Sequence, residues 1–163
     1  MTAVSMKDVL AFLNSQIICV LATVSPTGQP QAATVFYWID DIQGDKFNIY
    51  IVTRQHTRKF KNLTNNPLVS VVVGTQFEPI TVQIDGQALL LDTNTDLRKV
   101  QNFPQMMAKH SIQSMIYGGA FYPKSPFKGL EGENYAVFCI TPSQLSMMHF
   151  DEAKDEITTI KLL

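Results

Sequence analysis

Residues 51–73 of the 163-residue chain read IVTRQHTRKFKNLTNNPLVSVVV. Apolar, β-branched residues at both ends of this stretch are typical of strands. Between them Thr57 stands where a helix N-cap is expected, and the helix that follows is predicted to end at Asn66 and Pro67. The stretch therefore predicts a strand, a short helix and a second strand with very little connecting chain.

The predicted helix begins with two cations, Arg58 and Lys59, directly after Thr57. The free N–H groups and the positive end of the helix dipole favour an anion at this position. The Arg side chain adds a forked donor and the Lys side chain adds a point charge, and both suit phosphate. We therefore predict a site for a phosphate-bearing ligand, the alternative being a solvated basic helix face.

Short strands continue on both sides of this segment. Hydrophobic alternation and turn residues predict five strands in the first part of the chain, at 17–24, 31–39, 47–52, 68–74 and 81–91. Gly86 lies inside the last of these and indicates a bulge or a close backbone approach. Regularly spaced short strands with one inserted helix are typical of a closed or partly closed antiparallel barrel.

The C-terminal part of the chain returns to strands. Two apolar runs, 135–140 and 145–150, are separated by Thr-Pro-Ser and are interpreted as a closing hairpin, with 157–162 as an edge strand. The segments 96–103 and 105–116 are predicted to be helical.

Two further segments flank the strands. The stretch 118–134 is rich in Gly, Pro and aromatic residues, and it is predicted to be a surface loop over a pocket. At the other end of the chain, an amphipathic helix is predicted, capped by Ser5 with Asp8 in the capping-box position.

Composition and charge narrow the class of protein. The net charge of −1 argues against nucleic-acid binding, and the apolar runs are far shorter than the ~20 residues of a membrane span. We expect one domain over residues 1–163, and the absence of a signal-like N-terminus predicts a cytoplasmic protein. Cys19 and Cys139 lie in apolar runs and are predicted to be buried, so no metal site is expected.

The segment from Val20 to Asp92 resembles the flavin-binding core of the pyridoxamine 5′-phosphate oxidase-like split barrels. The shared motifs are a strand ending in Thr53, the turn Thr57-Arg58-Lys59, and a short helix ending in Asn66-Pro67. The resemblance implies a mainly β fold with α, namely an antiparallel split β-barrel with short flanking helices. It also implies an FMN cofactor held at the interface of a homodimer.

The resemblance implies three groups of cofactor contacts in this chain. The phosphate would be held by Thr57, Arg58 and Lys59, and the ring would lie against two strands, at Thr34, Val35 and Phe36 and at Val52 and Thr53. Thr81 occupies the place of a polar cofactor contact, which is Gln in the vitamin B6 enzymes, so the shorter hydroxyl would reach less far or act through water.

The chain departs from the vitamin B6 oxidase pattern at two cations and at its C-terminus. Ala33 and Trp38 stand where those enzymes have Arg and Lys, and the segment 146–163 contains no Arg. A substrate phosphate would lack its forked donor. The resemblance is therefore to the stress-protein-like and flavin reductase-like branch, and pyridoxamine phosphate oxidation is not expected.

The functional hypothesis is an FMN-dependent oxidoreductase that acts on an unidentified small molecule. The flavin itself carries out the chemistry, and the protein mainly has to place it, so no catalytic residue is assigned. His56 and His110 are interpreted as solvent-exposed. Two alternatives stay open: a flavin-binding module without turnover, related to stress proteins, and a split barrel that uses deazaflavin or haem. For haem, His149 would be the nearest candidate ligand.

Overall fold

The computed structural model describes residues 5–74, 80–93, 108, 135–151 and 156–161. Its elements, in chain order, are α1 Met6–Ser15, β1 Ile18–Val24, β2 Pro30–Gln43, β3 Lys46–Arg54, α2 Arg58–Asn65, β4 Leu68–Gly74, β5 Ile80–Thr93, β6 Tyr135–Asp151 and β7 Glu156–Lys161. Apart from Ala108, the predicted helices at 96–103 and 105–116 and the predicted loop at 118–134 lie outside the described residues.

The strands form one antiparallel sheet that closes on itself. The order is β3-β2-β1-β4-β5-β6-β7, and a further pairing between β3 and β6 closes six of these strands into a barrel. In that closing pair Arg54 faces Tyr135 at one end and Ile49 faces Ile140 at the other. β7 pairs with the second half of β6, as expected for an edge strand. The mainly β split-barrel architecture predicted from the sequence is confirmed.

Alternation along the strands fills the barrel. Val35 and Tyr37 on β2 point inward, as do Ile49 and Ile51 on β3, while their neighbours point outward. Burial of such apolar surface is the main favourable term in folding. The inward residues form one core cluster with the apolar face of α1 and with Leu63 of α2. Cys19 belongs to this cluster and Cys139 is buried as well, both as predicted.

Helix α1 packs its apolar face against the barrel core. Its capping box is present as predicted, because Asp8 N–H donates to Ser5 Oγ and Ser5 N–H donates to the Asp8 carboxylate. The Tyr37 hydroxyl donates to the Leu13 carbonyl at 2.6 Å, inside the protein. This hydrogen bond attaches the end of α1 to β2.

The predicted closing hairpin at 135–150 is wrong, because β6 is one continuous strand from Tyr135 to Asp151. The Thr-Pro-Ser sequence lies at a bulge instead of a turn: Gly86 pairs with Pro142 and Asp85 with Gln144, so Ser143 is the extra residue. Ser143 Oγ donates to the Asp85 carbonyl at 3.1 Å. Pro is tolerated in a strand at such a bulge, and the predicted irregularity at Gly86 is confirmed.

Candidate functional site

The end of β3 and the start of α2 are joined by a tight hydrogen-bonded turn. Thr57 is the N-cap of α2, as predicted: its hydroxyl accepts from the Phe60 N–H at 3.4 Å and donates to the Arg54 carbonyl at 2.8 Å. The hydroxyl oxygens of Thr53 and Thr57 are 3.0 Å apart. Because the Thr57 proton points to Arg54, Thr53 is the donor in this second contact.

Three cations surround this turn: Arg54, Arg58 and Lys59. Arg58 is exposed and Lys59 is half-buried in the first turn of α2. Burial, and next the nearby charge of Arg54, lower the pKa of Lys59 below its usual value. Among the described residues, no carboxylate contributes to this shift. The donor set therefore fits an anion, since a bound phosphate would offset both the burial and the repulsion between like charges.

Helix α2 is attached to the barrel at its middle and at its end. Asn62 is buried, and its side-chain amide donates to Thr23 Oγ1 at 2.9 Å and to Gln31 Oε1 at 3.1 Å. After the helix, the Ala88 N–H donates to the Pro67 carbonyl at 2.8 Å. No role for Asn62 was predicted, although an Asn next to an apolar Leu63 on a short amphipathic helix is a signal that the sequence contains.

The two ring strands predicted from the resemblance are neighbours in the barrel. Thr34 is exposed and Phe36 half-buried on the outer face of β2, whereas Val35 between them points into the core. On β3 the side chain of Val52 is half-buried and outward, and Thr53 is buried. The structure therefore brings the outward residues of both strands onto one face, next to the turn that starts α2.

Trp38 extends this outer face by one more outward position. It stacks on Tyr50 of β3, with ring centroids 5.4 Å apart and an interplanar angle of 17°. Its exposed fraction is only 4%, and its indole Nε1–H has no hydrogen-bond partner among the described residues. The residue that replaces a cation of the vitamin B6 enzymes is thus a buried aromatic group.

Thr81 is the one predicted contact that the structure does not bring to the others. It lies half-buried on β5, paired with Gly74 and Met148. Two strands, β1 and β4, separate β5 from β2, which corresponds to roughly 14 Å around the sheet at the usual strand spacing. In the other direction, Thr53 pairs with Ala136, and Ala136 pairs with Thr93 at the far end of β5. Within one chain, Thr81 is therefore separated from the outward residues of β2 and β3 by two strands in one direction and by the length of β5 in the other.

Neither a metal-binding cluster nor a membrane-spanning helix is found in the described part of the chain. No group of three or more His, Cys, Asp or Glu residues there is placed to hold a metal ion. Neither α1 nor α2, the helices within the described ranges, is long and apolar enough to cross a membrane. His149 lies on β6 opposite Ile80 in the backbone register, and His110 lies outside the described residues.

Comparison with known proteins gives one family match. The model of the pyridoxamine 5′-phosphate oxidase family matches residues 5–149, which is most of the chain. No curated protein matches the sequence.

Solved structures with the same fold are similar over nearly the whole chain. A pyridoxamine 5′-phosphate oxidase-related, FMN-binding protein from Nostoc punctiforme is 14% identical, covers 99% of this chain and 98% of its own, and has a TM-score of 0.57. A Clostridium acetobutylicum protein related to general stress protein 26 is 15% identical, with coverages of 96% and 94% and a TM-score of 0.59. A FAD-binding protein from Mesorhizobium loti is 20% identical, with coverages of 88% and 92% and a TM-score of 0.58.

The ligands named for proteins of this fold vary. Besides the FMN-binding and FAD-binding proteins, one similar structure is a haem storage protein from Vibrio cholerae and another is an F420 reductase. The fold therefore does not by itself select the ligand.

Proposed function

The chain belongs to the pyridoxamine 5′-phosphate oxidase family, and on that premise we propose that it is an FMN-binding oxidoreductase acting on a small molecule. The observation that carries this proposal is the cationic turn between β3 and α2. There Lys59 is half-buried beside Arg54, and within the described ranges no carboxylate contributes to the shift of its pKa. Such a turn is suited to a phosphate, and it adjoins the outward face of β2 and β3.

In this proposal the chain binds FMN through two groups of residues. Arg58 and Lys59 contact the phosphate, and Thr57 holds the helix end at which the free N–H groups lie. Thr34 and Phe36 on β2 and Val52 on β3 offer outward side chains to the ring, whereas Val35 and Thr53, whose side chains point inward, offer only backbone N–H and C=O groups. Bound FMN supplies hydride and electron transfer, and the chain supplies binding, orientation and exclusion of water.

We also propose a homodimer in which the second subunit completes the site. The predicted contact of Thr81 is assigned to the FMN of a partner copy, because two strands separate β5 from β2 within one chain. An exposed apolar side chain lies next to Thr81: Met148 of β6, which pairs with Thr81, is 44% exposed. Sedimentation should give about twice the 18.3 kDa chain mass. A stable monomer that retains full flavin would refute the shared site.

The substrate proposed here is a small molecule without a phosphate. Neither Ala33 nor Trp38 supplies a cation on β2, and the Trp38 side chain is buried against Tyr50. Pyridoxamine phosphate should therefore turn over negligibly with the FMN-loaded protein. Formation of pyridoxal phosphate at a typical enzymatic rate of about 1 per second or faster would contradict this.

The experiment that tests the function is an absorbance spectrum of the purified protein followed by addition of NADH or NADPH. The two bands of oxidised flavin are expected, and the reductant should bleach them. Flavin bands that no reductant bleaches would favour the flavin-binding module without turnover. A Soret band, or the spectrum of a deazaflavin, would replace FMN with the corresponding alternative ligand.

A further inference from the structure

The buried side chain of Asn62 joins α2 to the β1–β2 hairpin by hydrogen bonds. Its side chain is 2% exposed, and both hydrogens of its amide nitrogen are used, one toward Thr23 Oγ1 and one toward Gln31 Oε1. Thr23 and Gln31 face each other across the β1–β2 hairpin. A buried amide with both donors satisfied has one defined orientation, so the contact fixes direction as well as distance.

The position of Asn62 along α2 relates this connection to the cations. Asn62 comes one helical turn after Arg58, about 6 Å further along the axis. The start of α2 is attached to β3 through Thr57, and the chain after its end is attached to β5 through Pro67. Asn62 supplies the third attachment, to β1 and β2.

The apolar contacts of the helix are less directional than this attachment. Leu63 packs into the core, and the ring of Phe60 meets the ring of Phe138 edge-on with centroids 6.0 Å apart, but such packing defines angles less narrowly than hydrogen bonds do. Hydrogen bonds with defined angles restrict small rotations of a short helix. The rotation of α2 sets where Arg58 and Lys59 point, since both lie in its first turn.

We propose that Asn62 is a positioning residue of the phosphate site: its bonds to the β1–β2 hairpin hold α2 in the rotation that directs Arg58 and Lys59 to one phosphate. This inference rests on the proposed function, because the phosphate is that of FMN. Binding groups have to be held within about 0.5 Å of the productive geometry. Loss of the bonds is therefore expected to weaken phosphate contacts without touching the ring contacts.

The test compares the dissociation constants of FMN and riboflavin, since riboflavin has the same ring and lacks the phosphate. In Asn62→Leu, which has a side chain of similar size and no donors, the FMN constant should rise about tenfold while the riboflavin constant changes less than about twofold. Thr23→Val, which removes the acceptor on β1, should change the ratio in the same direction. Unchanged ratios in both variants would overturn the proposal.

A matched control separates positioning from general destabilisation. Leu63→Ala removes buried apolar contact from the adjacent residue of α2 and should lower stability while leaving the FMN-to-riboflavin ratio nearly unchanged. If Leu63→Ala changes the ratio as much as Asn62→Leu does, the helix is oriented by packing and the proposal fails.

The double variant Asn62→Leu/Thr23→Val guards against misfolding, because removing both partners of a buried hydrogen bond costs less than removing one. Its loss of FMN affinity should be smaller than the sum of the two single losses on a logarithmic scale. Full additivity would mean that the two residues act separately, and would overturn the proposal.

The wild-type protein distinguishes failure of the proposed function from failure of this inference. A wild-type protein that binds neither FMN nor riboflavin would refute the proposed function itself. Normal FMN binding by the wild type, with unaffected variants, would refute only the role of Asn62.

Discussion

The hydroxyl oxygens of Thr53 and Thr57 lie 3.0 Å apart, so the last inward residue of β3 contacts the N-cap of α2 directly. Thr57 in turn donates to the Arg54 carbonyl, which leaves Thr53 as the donor. The contact sets the distance between the strand proposed to meet the flavin ring and the helix proposed to meet the phosphate. These two parts of the site are thus held together by two side chains four positions apart.

Replacing Thr57 with Ala should remove the helix cap together with the contact to Thr53. We expect a loss of about 1 kcal/mol in the free energy of unfolding, within the usual range for a lost cap. Thr57→Ser retains the hydroxyl and should stay close to wild type. Urea denaturation of the three proteins measures the effect, and equal midpoints for Ala and Ser would show that the cap contributes nothing.

Arg58→Ala should remove a charge-assisted contact with the FMN phosphate. The expected cost is about 1.5 to 3 kcal/mol, which corresponds to roughly a tenfold to hundredfold weaker FMN complex. Riboflavin should bind both proteins nearly equally. Lys61→Ala serves as the control, because Lys61 is an exposed cation of the same helix beyond its first turn. An FMN constant that Arg58→Ala leaves unchanged would exclude Arg58 from the site.

FMN affinity should fall as the pH rises in the alkaline range. Between the second pKa of the phosphate, about 6, and the lowered pKa of Lys59, the amine is charged with and without phosphate, so the affinity is constant in that range. Above that pKa the free protein has lost the proton, and binding has to restore it. The fall therefore begins below the ordinary lysine value of 10.5.

Lys59→Arg supplies the matched variant for this pH profile. The guanidinium that replaces the amine stays protonated throughout the range, so the fall should disappear. Titrations with riboflavin at each pH correct for ionisation of the ring. If wild type and Lys59→Arg show the same pH dependence of FMN affinity, Lys59 is not the group that titrates and its assignment to the phosphate is contradicted.

Gly86→Ala should destabilise the barrel. A Cβ at Gly86 would lie 2.5 Å from the Thr141 carbonyl oxygen, which is backbone and cannot move aside without separating β5 from β6. The expected cost is about 1 to 3 kcal/mol. At Gly74 the nearest atom would be 3.5 Å away, so Gly74→Ala is the control and should change stability by less than about 0.5 kcal/mol. Thermal melts of both variants measure the two changes in stability, and equal melting temperatures for Gly86→Ala and Gly74→Ala would contradict the prediction.

Trp38 should report flavin binding by its fluorescence. It is the only tryptophan of the chain and lies on the outer face of β2, two residues beyond Phe36. A flavin ring against Phe36 would lie close enough to quench the emission. FMN and riboflavin should quench to the same final level at saturation, since only the ring matters. Persistent full emission in a protein that carries bound flavin would place the ring elsewhere.

The fold could be predicted from the sequence wherever a residue type favours a single local structure. Thr57 as a cap, Asn66-Pro67 as a stop and alternating apolar strands all formed as predicted, because each depends on local hydrogen bonding or on burial. The continuous β6 was missed. Pro142 signals a turn in most strand patterns, and only the bulge opposite Gly86, a partner more than fifty residues earlier in the chain, makes it compatible with a strand.

In the candidate site, too, local features were predictable and features that depend on distant parts of the chain were not. The cations of the turn follow from their position at a helix start, whereas the distance of Thr81 from them depends on strand order, which no local pattern specifies. The role of Asn62 was hidden for a similar reason. Its partners Thr23 and Gln31 are distant in sequence and meet it only after the barrel has formed.

The pairing of β3 with β6 also determines the order of assembly. β1 with β2, β2 with β3 and β4 with β5 join neighbours in the chain, so these ladders need only short loops to close. The β3–β6 ladder joins segments from opposite halves, and such non-local pairings form slowly. During synthesis the edge of β3 stays open until residues 135–140 have left the ribosome. An open edge can pair with other chains, so slow translation of the second half should favour aggregation of the nascent protein.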